Sequence, residues 1–157
     1  MPNTCNNLIF IRGEREQLKE FADEALADEE FNLRACLPAT DRPSGERIYF
    51  PSEGHPFSYE MEVLGTTGIC EYTFIEVKPE SIIIDAESAW TPPTKWAKHI
   101  CLQARFSSLS IKIVYWEMGQ QFYGYSESSH DKHVEVKYDL DFKKNIEDDD
   151  DYYIPRP

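Results

Sequence analysis

The chain has 157 residues, 41% of them hydrophobic and 13% aromatic, which suits one folded domain with a core of its own and excludes a disordered chain. Sixteen Lys and Arg face twenty-nine Asp and Glu, a formal net charge of −13, and such a surface repels a phosphate backbone, which excludes a general role in direct nucleic-acid binding. No apolar run approaches the roughly 18 residues of a transmembrane helix, and the first ten residues lack the basic and apolar regions of a secretory signal, so a cytosolic protein without a membrane partner is expected.

In chain order, residues 7 to 12 (NLIFIR) predict a first strand, ended by Gly13. Residues 14 to 30 predict an amphipathic helix, with Leu18, Phe21, Ala22, Ala25 and Leu26 on one stripe. Its other face is acidic: Glu16, Glu20 and Glu24 stack at four-residue spacing beside Asp23, Asp28, Glu29 and Glu30. Like charges so placed weaken a helix, which raises the question of a partner against the plainer alternative of a solvated face. Residues 31 to 64 read as an irregular insertion broken by Pro38, Pro43, Gly45, Pro51, Gly54 and Pro56, with a short edge strand at Arg47 to Phe50. Phe57 to Leu64 fits either a strand or a short helix. The string Gly65 to Gly68 then turns the chain.

Ile69 to Val77 alternates as a strand, and Lys78 to Glu80 turn it into the apolar run Ile82, Ile83 and Ile84, so these two strands form a hairpin. Trp90, Thr91, Pro92 and Pro93 stop that strand and start a helix, with Thr91 placed to cap it and Pro92 at its first position. Trp96, Ala97, Ile100, Cys101 and Ala104 gather on one face of that helix. Ile111, Ile113 and Tyr115 alternate with Lys112, Val114 and Trp116 in the next strand, and a turn at Glu117 to Gly119 leads into another over Gln120 to Tyr125. After the polar loop 126–132, Val134, Val136, Tyr138 and Leu140 mark a last strand with one half-buried face. From Lys143 the pattern dissolves, and Asp148, Asp149, Asp150 and Asp151 cannot pack, so an acidic, flexible tail is expected over 143–157. Tyr152, Tyr153 and Ile154 would then dock on a partner or on the domain itself.

Strand, helix, strand, strand, helix, strand is the split βαβ order of the ferredoxin-like α+β fold. The expectation is one domain over residues 1–142: an antiparallel sheet with both helices on one face, extended by extra C-terminal strands.

Several motifs resemble a known family. They are Asn3, Cys5, Asn7, Leu8 and Gly13 at the N-terminus, the Gly65-Thr66 turn, the segment Ala89 to Pro93, and the segment holding Tyr115, Glu117, Gly119, Phe122, Tyr123 and Gly124. Together they resemble the YubB-like ferredoxin-like domain family carried by phages and plasmids, across most of residues 3 to 125. The chain departs from that pattern at Thr4, Leu64 and Gly68, where tryptophans are usual, so any ligand surface built on those rings is altered here. The resemblance implies a fold and a mobile-element origin in a host bacterial cytoplasm. It implies no chemistry.

A catalytic reading finds no anchor. His130 and His133 lie three apart in a polar loop without the third ligand that a zinc site needs, and no phosphate-loop, dinucleotide or serine-hydrolase motif is present. Cys5, Cys36, Cys70 and Cys101 are scattered without a C-x-x-C pair, so free thiols are expected rather than disulfides or a metal. The fold order also underlies RNA-binding sheets that stack bases on aromatics, and this chain offers Tyr72, Phe74, Tyr115, Phe122 and Tyr123, yet the arginine- or lysine-led signature is missing. No catalytic residue, metal or cofactor is therefore assigned. The sequence suggests a stoichiometric binding protein of a mobile element, in two forms. In the first, Glu16, Glu20, Asp23, Glu24 and Asp148 to Asp151 mimic nucleic acid before the basic groove of a host protein, as a counter-defence inhibitor of the anti-CRISPR or anti-restriction type would. In the second, an accessory or structural protein joins a protein partner through the sheet aromatics Tyr115, Phe122 and Tyr123.

Overall fold

The computed structural model describes residues 3–37, 63–66 and 68–139. Strands β1 (Thr4–Arg12), β2 (Ile69–Val77), β3 (Ser81–Ala89), β4 (Ser110–Glu117), β5 (Phe122–Ser128) and β6 (His133–Asp139) form one sheet, with helices α1 (Arg15–Ala25) and α2 (Thr94–Leu102) as its crossovers. The strand order is β2-β3-β1-β4-β5-β6, every pair antiparallel. Its first four strands have the ferredoxin-like arrangement, in which β1 lies between β3 and β4, and the β5–β6 hairpin extends the sheet beyond β4. The expected fold class is the observed one.

Register fixes which side chains meet. Ile9 pairs with Ile84 on one side and Ile113 on the other, and Ile11 with Ile82 and Ile111, so these residues share one face. Leu18, Phe21 and Ala25 of α1 and Trp96, Ala97, Ile100 and Cys101 of α2 cover that face in a single core. Trp96 stands at its centre, with ring centroids 6.1 Å from Phe21 and 5.5 Å from Phe31. Burying an apolar side chain of this size contributes about 2 kcal/mol, which is why two short helices stay on the sheet despite weak caps.

Both helices differ from expectation at an end. α1 stops at Ala25 and is followed by a 3-10 turn, because Asp28 and Glu29 take left-handed backbone angles, φ 58° and 61°. α2 starts at Thr94 rather than after Thr91, because Trp90 turns the chain at φ 68° and the Thr91 hydroxyl donates to the Gly65 carbonyl instead of capping. Phe31, Leu33 and Cys36, expected within the irregular insertion, are buried in the core. The expected edge strand at Arg47 to Phe50, the undecided element up to residue 62, and the tail 143–157 lie outside the described residues. No described helix is long and apolar enough to cross a membrane.

Candidate binding surface

The acidic face of α1 is not a free row of carboxylates. Arg105, from the 3-10 turn after α2, donates to Glu24 at 2.6 Å and Glu20 at 3.2 Å. The same guanidinium donates to the Cys36 carbonyl at 3.0 Å and lies 4.4 Å from the centroid of the Phe106 ring. Its hydrogen bond holds the Glu24 carboxyl below the usual carboxylate range. Asp23 pairs with Lys19 one turn earlier, at 3.8 Å. Of the four α1 carboxylates assigned to a mimicry surface, only Glu16 has no ion-pair partner among the described residues. Asp148 to Asp151 lie outside the described residues.

The aromatic assignment needs correction too. Tyr115 and Phe122 do not lie on an open surface: they are 0% and 2% exposed, ring centroids 6.1 Å apart, on the helix-covered face. Tyr115 has the phase of Ile111 and Ile113, which are in the core. Its ring crosses Gly124, its partner in β5, and the hydroxyl donates to Glu135 of β6 at 3.2 Å. Glu135 also accepts from Thr94 at the start of α2. Burial, with Glu135 beside it, pushes the Tyr115 hydroxyl up, so it acts as a donor and not as a phenolate. Only glycine fits at 124, since a Cβ there would stand 2.1 Å from the Val136 carbonyl oxygen.

The remaining motif residues form a latch rather than a reaction centre. Thr66 donates to the Ala89 carbonyl at 2.7 Å, the Trp96 N–H to the Leu64 carbonyl at 3.2 Å, and Asn7 donates to Ser88 and to the Cys5 and Ala86 carbonyls. They pin residues 64–66 to the end of β3 and the first turn of α2, and β1 to β3. Glu117, 2% exposed, accepts from the N–H groups of Gly119 and Gln120 and so closes the β4–β5 turn. His130 and His133 turn to the fold as well. The His130 ring lies 3.0 Å from the Cys101 carbonyl and the His133 ring 2.7 Å from the Ser128 hydroxyl, and no metal-ligand cluster occurs among the described residues. Cys5, Cys36 and Cys101 are buried with their thiols pushed up to about 12 by desolvation, Cys70 is exposed, and all four are free.

The other side of the sheet, which no described helix covers, is part-exposed, with Val114 buried within it. Register lines up its residues in rows: Phe10, Lys112, Glu127 and Val134; then Leu8, Val114, Tyr125 and Val136; then Asn6, Trp116, Tyr123 and Tyr138. Tyr123 is the one assigned aromatic found here, stacked 5.1 Å from Tyr138, which is 48% exposed. Trp116, Tyr125 and Tyr138 were missed as site candidates, although their alternation with Tyr115 and Gly124 already set them apart from the core. Trp90, 42% exposed, is a further exposed aromatic that sequence reasoning took only as punctuation.

No curated protein and no solved structure matches the chain. Residues 69–155, from β2 onward, match the family model described as the ferredoxin-like domain in Api92-like protein, and with more than half of its length so matched the chain belongs to that family.

Proposed function

We infer that this is a non-enzymatic binding protein that joins a protein partner through the uncovered face of its sheet. The observation that supports this best is the group of part-exposed aromatics Trp116, Tyr123, Tyr125 and Tyr138 on a face that no described helix covers. Large rigid rings with a polar tip are the side chains that anchor protein interfaces at low cost in side-chain entropy. The resemblance to YubB-like proteins supports a phage or plasmid origin and a role as an accessory protein in the host bacterial cytoplasm.

The acidic reading keeps one supporting observation, the net charge of −13. In that form the protein is a counter-defence inhibitor, of anti-CRISPR or anti-restriction type, set against a basic nucleic-acid groove. The ion pairs of Arg105 with Glu20 and Glu24 count against α1 as its contact surface.

Affinity capture from host lysate with paired variants separates the two. Trp116→Ala with Tyr138→Ala should abolish capture, while Glu16→Lys with Asp23→Lys leaves it intact and capture survives about 0.5 M salt, where exposed charges are screened within about 4 Å. Capture lost with the lysine pair or in salt, and kept without the rings, would overturn the sheet-face reading in favour of mimicry.

A further inference from the structure

At one end of the open sheet face lies a cavity of about 580 Å³, within the range of small-molecule sites. It is formed across β1, β4, β5, the β5–β6 loop and the start of β6, and Phe10, Arg12, Lys112, Glu127, Lys132 and Val134 line it. In a chain with 29 acidic and 16 basic residues, three cations here meet one carboxylate. Lys112 pairs with Glu127 at 3.7 Å, whereas Arg12 and Lys132 have no ion-pair partner among the described residues. The acidic residues of α1 stand on the opposite side of the sheet, where screening over about 8 Å at physiological salt leaves the local potential to the lining groups.

We propose that this cavity binds a nucleoside monophosphate. The class follows from three features of the lining taken together. Arg12 and Lys132 supply charge-assisted donors for a phosphate, Arg12 with the fork that suits two of its oxygens. Phe10, at the β1 side of the cavity, gives an apolar ring on which a planar base stacks. Glu127, an unhelpful neighbour for a bare anion, retains acceptor positions for a base amino group or a ribose hydroxyl. A phosphate alone would leave Phe10 and Glu127 without a role, and a nucleoside alone would leave Arg12 and Lys132 unpaired. The site is independent of the protein-partner reading, since it uses neither Trp116 nor Tyr138.

Calorimetric titration of the full chain with AMP tests this, with adenosine and inorganic phosphate as separate probes and amide NMR shifts reporting the place. AMP should bind with a dissociation constant of about 0.1 mM, and shifts should centre on Phe10, Arg12 and Lys132. Arg12→Gln and Lys132→Gln, both at exposed positions of a folded chain, should each weaken AMP binding about tenfold, while adenosine and phosphate each bind at least tenfold more weakly than AMP. No saturable AMP binding by about 10 mM, equal binding of phosphate, or glutamine variants that bind as the parent does would each overturn the proposal.

Discussion

Replacing Arg105 with alanine tests whether the acidic face of α1 is structural. The guanidinium is 34% exposed, so its pairs with Glu20 and Glu24 must be discounted for solvent and together stabilise by about 1 kcal/mol, the upper end for surface ion pairs. The bond to the Cys36 carbonyl adds about 1 kcal/mol. Contact with the Phe106 ring, 4.4 Å away, adds about 0.5 kcal/mol. The expected loss is therefore about 2.5 kcal/mol, read as a urea midpoint lowered by about 1 M with buried Trp96 contributing to the fluorescence signal. The effect should depend on pH with a defined sign. Because the Glu24 carboxyl is held below its ordinary value of 4.5, the pair contributes fully above that pH and is lost as pH falls through the folded value, so parent and variant converge in acid. Arg105→Ala should also cost less on a Glu20→Gln, Glu24→Gln background. A loss under about 0.5 kcal/mol, or the same loss on both backgrounds, would show that the acidic face owes nothing to Arg105.

Two further outcomes follow from packing. Gly124→Ala forces a methyl to within 2.1 Å of the Val136 carbonyl oxygen and 2.7 Å of the Tyr115 hydroxyl, and should cost about 3 kcal/mol, with amide exchange rising in β6 before β1. A thiol reagent should label Cys70 alone in the native protein and all four cysteines in denaturant, because Cys5, Cys36 and Cys101 are buried with thiols pushed up to about 12; native labelling of any of these three contradicts the burial.

The scaffold was legible because its signals are local. Leu18 and Phe21, Trp96 and Ile100, and the alternation Ile111, Ile113, Tyr115 each declare a buried face within a few residues. The order of elements then selected the topology. What failed was long-range. Arg105 meets Glu24 across 81 residues of chain, and nothing near Glu24 announces that its charge is taken. Thr91 resembles a cap until Gly65 claims its hydroxyl from 26 residues away. The aromatic face went wrong differently: Tyr115 was grouped with Tyr123 for its chemistry, although its phase with Ile111 and Ile113 already placed it inside.

The family match begins at β2, yet β1 is the strand bonded to both β3 and β4. Taken alone, the stretch from residue 69 would hold two separate ribbons with a vacant slot between them, each side offering unpaired backbone groups. Here the slot is filled by β1, and Ile9 leaves the ribosome long before Ile84 and Ile113 exist to receive it. The same topology gives a second copy a way in, since a nine-residue segment of one molecule matches the gap in another, and strand exchange between neighbours is the characteristic hazard of such a keystone.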